Sequence, residues 1–437
     1  MNFKMDEQSY RDLSIFKSDE NIFSVFDLFK KTKTLGGREL LKYWMSNPSN
    51  DINILQRRSA AISFLQKSKI QLQIDHNHVD LILHYLNYDH GYLKRNIIDS
   101  FVPWLQNQFK PNQNYYVVQV GITKLLELIK YGGELISRLI ENDVPILLQE
   151  LAMKLKNIID ILNINSIVLN KKLNFSQIGQ FDFTFRKTHR LLLLDLLNVF
   201  YELDVLEAVA NVANTRGFCL PSYTIEKEID FQIDGLFHPV FHQPNKNSFK
   251  IDNNLVFLSG SNMSGKSSLL KAVGLSIYLA HLGFPVPAKR MKTSIFNGLI
   301  TTINLADTIE NGLSHYYSEV IRIKKVATIL KERSKMFVIF DELFKGTNAK
   351  DAFDASLLVI NSFSAISKSI FIISSHITEL AAQLNAEKVT FKYMEHQTVD
   401  GQPIFTYQLK DGISKDGTGM YFIEKEGIIN LLKQAKT

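Results

Sequence analysis

The chain has 437 residues, enough for two or three domains and a large core. Apolar residues make up 45% and charged residues 22%, and Lys+Arg exceeds Asp+Glu by 50 − 44 = 6, a mildly basic balance that admits a polyanionic partner without requiring one. A single cysteine, Cys219, excludes an intramolecular disulfide and a cysteine metal cluster. No apolar run reaches transmembrane length and residues 1–8 lack a signal-peptide core, so a cytoplasmic chain with no membrane contact is expected.

Residues 1–20 are polar and mixed and read as a short strand or an irregular lead-in. From Asn21 the pattern turns helical, with Ile22, Phe23, Phe26 and Phe29 on one face, until Thr34-Leu35-Gly36-Gly37 breaks it. A second helix carries Leu40, Leu41 and Trp44; Asn47-Pro48 stops it, and a third covers residues 52–65. The Lys30-Lys31-Thr32-Lys33 run reads as a solvated face. Residues 70–180 read as helical, with breaks at 87–91, at Pro111-Asn112 and at Gly132-Gly133. His76, His78, His84 and His90 lack an acidic cluster at ligand spacing and read as surface or hydrogen-bonded histidines. A long helix over residues 188–213 keeps apolar residues at three- and four-residue spacing and would extend roughly 35–40 Å, a candidate lever. Arg216-Gly217 and Pro221-Ser222 mark the exit into alternating strands and helices. The expected organisation is an all-α helical core over residues 1–222, followed by an α/β domain over 223–437.

The most specific stretch lies in that second part. Residues 255–258, Leu-Val-Phe-Leu, read as a buried strand, and residues 269–280 as a helix. Between them stands Gly260-Ser261-Asn262-Met263-Ser264-Gly265-Lys266-Ser267-Ser268, a full match to the P-loop pattern in its required context. Gly260 and Gly265 let backbone N–H groups point inward at phosphate oxygens; Lys266 adds a point charge and the Ser267 hydroxyl can ligate Mg²⁺. ATP with Mg²⁺ is the expected cofactor. A second apolar strand, residues 336–340, ends in Asp341-Glu342: Asp341 to hold Mg²⁺, Glu342 to polarise the attacking water. A third, residues 370–373, ends in Ser374-Ser375-His376, which places a histidine beside the nucleotide to sense its γ-phosphate.

The ordered set Gly-x-Asn-Met-Ser-Gly-Lys-Ser, Pro285-Val286-Pro287-Ala288, the Ser314 segment, Asp341-Glu342, Gly346-Thr347-Asn348 and Ser-His resembles the ATPase domain of the MutS family of DNA mismatch-repair proteins, a branch of the ABC-type ATPases. His238-Pro239-Val240 and the closing segment from Phe405 to Gly419 fit the same domain. Gly36-Gly37-Arg38-Glu39-Leu40-Leu41-Lys42-Tyr43-Trp44 resembles the start of the family's helical core, and Glu202-Leu203-Asp204-Val205-Leu206 the helix returning from its lever. The resemblance implies that Ser314 reaches the γ-phosphate bound by the opposite subunit, that Glu319 supports that segment, that His376 is the switch histidine and that Phe249 and Tyr407 sandwich adenine.

Departures from the family pattern accompany this. Ser261 stands where proline is usual, His315-Tyr316 where Thr-Phe is usual, and Phe344-Lys345 where Gly-Arg is usual. The chain begins at the core, without a mismatch-reading domain, and residues 75–185 are short for a lever with a DNA clamp. Phe200-Tyr201-Glu202 repeats the letters of the mismatch wedge, but within an amphipathic helix, and reads as core. The expected function is an ATPase that acts as a homodimer through its ATPase domain and engages DNA by backbone or shape, in repair or recombination without mismatch reading. Two alternatives are a MutS-family ATPase acting on ribosomes or other nucleoprotein, and a P-loop phosphotransferase.

Overall fold

A computed structural model describes residues 3–17, 23–68, 70–89, 91, 113–140, 143–164, 173–225, 229–304, 315–399, 402–414, 423 and 425–434. Asn21, Ile22, His90, Pro111, Asn112, Ser314 and Gly419, all singled out above, lie outside these residues. Among the described residues no helix is long and apolar enough to cross a membrane. The fold is mixed α/β. Contacts gather Met1–Asp27, Asn47–Gln56 and Ala213–Thr437 into one compact unit and Leu28–Ser46 and Arg57–Val212 into another. The change expected near residue 222 is therefore not a single cut in the chain, because residues 4–12 bond into the sheet of the first unit.

The second unit is helical, with helices Leu35–Ser46, His76–Leu86, Gln113–Leu139, Ile146–Leu162 and Phe175–Asp182, a π-helical turn Phe183–Thr188, and most of the long helix Arg190–Arg216. The break expected at residues 34–37 falls at the junction between the helices Val25–Phe29 and Leu35–Ser46, whereas the one expected at Gly132-Gly133 is helix interior. Gly36 and Gly37 lie inside the Leu35–Ser46 helix, and an added Cβ would meet the Tyr201 ring at 2.2 Å and the Asp204 carboxylate at 2.5 Å. The pair serves close helix packing in the first turn after that break. Gly132-Gly133 likewise lies inside the Gln113–Leu139 helix, where Gly132 faces Leu155. Phe200 is fully buried, its ring 6.2 Å from that of Tyr131, so the Phe-Tyr-Glu triplet is core.

The first unit holds two sheets. The strands are β1 (Ser222–Thr224), β2 (Phe231–Leu236), β3 (Asn247–Lys250), β4 (Leu255–Ser259), β5 (Arg290–Ser294), β6 (Gly298–Thr302), β7 (Met336–Asp341), β8 (Ile370–Ser375), β9 (Val389–Val399) and β10 (Gln402–Asp411). The smaller sheet has order β1-β5-β2-β3 and the larger β10-β9-β4-β8-β7-β6. In the larger sheet the β6–β7, β7–β8, β8–β4 and β4–β9 pairs are parallel, and only β9–β10 is antiparallel. Every residue of β4, β7 and β8 is buried, which explains their unbroken apolar runs: a parallel strand covered on both faces has no reason to alternate.

In the described part of the N-terminal lead-in, strand-like pairing is limited to Lys4 and a helix stands where only a strand or irregular chain is expected. Residues 7–12 form a helix capped by Asp6, and Lys4 pairs with the β6 edge, donating to the Asn297 carbonyl and accepting from the Leu299 N–H. Asp12 accepts from the Thr301 hydroxyl and from the Ile303 and Asn304 N–H groups, Ser9 accepts from the Thr301 N–H, and Asp6 pairs with Arg322. Arg322 belongs to the helix His315–Glu332, so this strap ties sheet edge and helix together. Beside Arg322 the Asp6 carboxyl is held at about 2 despite the burial that opposes it.

Candidate active site

In the larger sheet β8 lies between β4 and β7, so the loops leaving the carboxyl ends of all three meet at one place. Crevices of this kind are where open α/β sheets bind ligands. The loop after β4 is the glycine-rich one. Gly260 has φ +149° and Gly265 φ +97°; a Cβ on the first would come within 3.0 Å of the Ser264 hydroxyl, and on the second within 3.0 Å of the Tyr407 ring. Behind the loop the helix Lys266–Ala280 starts with no side-chain cap, leaving its first N–H groups for a ligand.

Lys266 is 5% exposed, and its ammonium donates to the Gly260 and Ser261 carbonyls at 2.7 and 3.0 Å. Burial lowers its pKa, opposed by Glu342 and Asp341. The Ser267 hydroxyl donates to Asp341 Oδ2 at 2.5 Å, and the Ser374 hydroxyl to Oδ1 at 2.5 Å. Glu342 stands one residue beyond β7 in a left-handed conformation, φ +63°. That turn brings its carboxylate to His376 Nδ1 (3.5 Å), Lys345 Nζ (3.3 Å) and Lys266 Nζ (3.9 Å). The hydrogen bond from His376, then the charges of Lys345, His376 and Lys266, hold the Glu342 carboxyl at about 2 against the effect of burial, and the same bond raises His376. Glu342 is thus a carboxylate held in its ionised form by a histidine and two lysine ammonium groups.

A cavity of about 670 Å³ opens over the loop. Tyr407 borders it from a bulge in β10, with φ +54° and a register shift against β9. Buried Asn247 clamps that bulge, donating to the Tyr407 carbonyl at 3.1 Å and accepting from the Leu409 N–H at 2.7 Å. Phe249 is not at the cavity. On β3 burial alternates, and Phe249 faces inward, 8% exposed and 5.7 Å from the Phe231 ring on the neighbouring strand. Two phenylalanines of the preceding loop do border the cavity, Phe237 and the more exposed Phe241, 52% exposed and beside His238. The reading of Phe249 as an adenine contact is corrected on this ground; Phe241 sits in the loop opened by His238-Pro239, a signal that was in the sequence.

Of the remaining loop residues, Asn262 and Met263 are exposed, Met263 with φ +68°, and Ser268 is half-buried. Ser261 and Ser264 carry buried hydroxyls with no hydrogen-bond partner. Buried hydroxyls are seldom left so, and their position inside the loop fits oxygens of a ligand. The donor set of the Ser267 and Asp341 pair is all oxygen, which fits Mg²⁺. The Glu319 carboxylate accepts from the Lys345 and Gly346 N–H groups at 3.0 and 3.3 Å and so holds the loop that follows Glu342.

Two family models match the chain. Residues 256–437 match the family model of MutS domain V, and residues 8–311 that of MutS domain III. The DNA mismatch repair protein MutS of Geobacillus thermodenitrificans is 27% identical over 245 residues, 54% of this chain and 26% of that protein. The protein of the same name from Petrotoga mobilis is 28% identical over 251 residues, covering 55% and 30%, and that from Staphylococcus haemolyticus 28% over 245 residues, covering 54% and 27%. These alignments span 26 to 30% of the relatives' length. With its domain III match alone covering well over half of the 437 residues, and domain V covering the sheet that carries the cleft, the chain belongs to the MutS family.

Proposed function

We propose that the chain binds ATP with Mg²⁺ in the cleft at the carboxyl ends of β4, β7 and β8, and hydrolyses it to control engagement of DNA. The carrying observation is the convergence there of Lys266, the Ser267–Asp341 pair and the Glu342–His376 pair. In this reading the glycine-rich loop is a P-loop and the unit around it an ABC-type ATPase domain. Inward N–H groups and the helix start attract phosphate oxygens, and Lys266 adds its charge. Held by Ser267 and Asp341, Mg²⁺ supplies charge neutralisation on the phosphates. Glu342 accepts a hydrogen bond from a water molecule and orients it for attack, while His376 and Lys345 fix the carboxylate. Phe241 and Tyr407, both bordering the cavity, offer faces for the base.

The wider reading rests on the family. Its named relatives are DNA mismatch repair proteins. For this chain we assign a cytoplasmic role in DNA repair or recombination, by backbone or shape readout, as a homodimer in which Ser314 completes the site of the second copy. Lys266→Ala should abolish binding of a fluorescent ATP analogue with the circular dichroism spectrum unchanged; normal affinity would sink the ATP assignment. Mixing inactive Lys266→Ala with inactive Ser314→Arg should restore part of the hydrolysis, since one site of a mixed dimer is intact. No recovery, with a monomer at all concentrations, would remove the shared site. Filter binding with branched DNA, duplex and ribosomes decides the partner: retention of ribosomes alone would replace the DNA reading.

A further inference from the structure

We infer that Ser374 is a positioning residue of the cleft, its hydroxyl locking the Asp341 carboxylate toward Ser267 and tying it to the turn that carries Glu342. The inference rests on the reading of the cleft as a Mg²⁺–ATP site. Ser374 is fully buried on β8 and is the register partner of Asp341 on β7. Its hydroxyl donates to Asp341 Oδ1 at 2.5 Å and accepts from the Glu342 N–H at 3.2 Å. One oxygen therefore touches both acids.

Two consequences follow from elementary geometry. A carboxylate turns about a broad, roughly two-fold torsion, so an Asp341 held at one oxygen only would swing. With Oδ1 occupied by Ser374, Oδ2 is the oxygen left facing Ser267, where the metal donors must converge. The β7–β8 ladder also ends at the Asp341–Ser374 pair. Beyond it Glu342 takes a left-handed conformation, and its N–H has the Ser374 carbonyl at 3.2 Å and the Ser374 hydroxyl at the same distance. The hydroxyl is thus a second acceptor at the strained turn that aims Glu342. Its neighbour cannot replace it: the Ser375 hydroxyl accepts from the Ile377 N–H at 3.0 Å, turning the chain after β8.

Outer partners of metal ligands are worth roughly 10- to 100-fold in metal affinity. In the full-length chain, Ser374→Ala should raise the Mg²⁺ concentration needed for half-maximal tight binding of a fluorescent ATP analogue by about tenfold or more. Its affinity for the analogue in EDTA should match the parent. A parent-like Mg²⁺ requirement would overturn the inference. So would affinity lost equally with and without Mg²⁺, which would make the serine merely structural. Lys266→Ala, measured alongside, separates the two levels. If it binds nothing while Ser374→Ala keeps the parental Mg²⁺ response, only the positioning role fails; if it binds normally, the nucleotide reading fails and the inference with it.

Discussion

Two buried polar clusters, one in each compact unit, invite comparison. In the helical unit, Arg186 donates twice to the Asp182 carboxylate at 2.6 Å and once to the Tyr88 carbonyl at 3.0 Å, and the Tyr85 hydroxyl donates to Asp182 at 3.1 Å. Asp182 and Tyr85 are fully buried and Arg186 is 3% exposed. The π-helical turn Phe183–Thr188 carries Arg186 past its carboxylate, and no buried polar atom of Tyr85, Asp182 or Arg186 is left without a partner. In the cleft the same kinds of group are arranged differently. Two hydroxyls are orphaned, and Met263, Glu342, Phe344 and Tyr407 hold positive φ, each at a cost of about 1 kcal/mol or more. Burial alone does not mark a functional site. Of these two clusters, the helical one satisfies itself, whereas the cleft keeps unfilled bonds and strained turns.

The largest effect expected from this contrast lies in the structural cluster. Arg186→Ala leaves Asp182 buried without its charge partner and should cost about 3–5 kcal/mol in urea unfolding, with ATP affinity of the folded fraction unchanged. The double change Asp182→Leu with Arg186→Met should cost less than the single one. A single change that costs under 1 kcal/mol, or that selectively alters nucleotide affinity, would erase the distinction between the clusters.

His281 extends the comparison, because it is a closed polar group in the same unit as the cleft. Its Nε2 accepts from the Phe296 N–H at 2.9 Å, so Nδ1 carries the proton toward the Ile277 carbonyl at 2.8 Å, and both bonds require the neutral ring. Burial pushes its pKa from 6.5 down to about 4. Between those values the unfolded chain binds the extra proton, so stability falls as pH falls from 6.5 to 4, by roughly 3 kcal/mol. Urea midpoints across that window, compared with His281→Asn, measure it; an identical pH slope in both proteins would reject the assignment.

In the cleft the expected loss is kinetic. Glu342→Gln should bind ATP as the parent does and hydrolyse it roughly 10²-fold slower, equivalent to about 2.7 kcal/mol in the barrier. Unchanged turnover would transfer the role to another group. The smallest effect sharpens the contrast most. Ser264→Ala removes an unsatisfied buried hydroxyl, so stability should hold or rise by up to about 1 kcal/mol while ATP affinity falls. A clear loss of stability would mean that this hydroxyl is already bonded.

Much of this was legible in the sequence for a local reason. β4, β7 and β8 are unbroken apolar runs because both faces are covered, and the glycine-rich loop announces its own turn. Their adjacency, which brings His376 to Glu342, is set by strand order and has no local signal. Gly132-Gly133 reads as a break because a glycine that admits a neighbouring side chain looks like one that ends a helix. Phe249 was misplaced because its inward direction depends on pairing with β2. Ser374 stood in plain view within Ser-Ser-His, but its hydroxyl matters only once Asp341 is opposite it.

The N-terminal strap has a consequence in time. Ser9 bonds a backbone group 292 residues further along the chain. A ribosome adding about 5–20 residues per second would complete the partner strand roughly 15–60 s after the strap emerges. Through that interval Asp6, Ser9 and Asp12 have no β6 to bind. The long-range pairing makes the sheet one of the last structures to close, and it gives the growing chain a late checkpoint: until residue 304 is out, the β6 edge and the strap wait for each other.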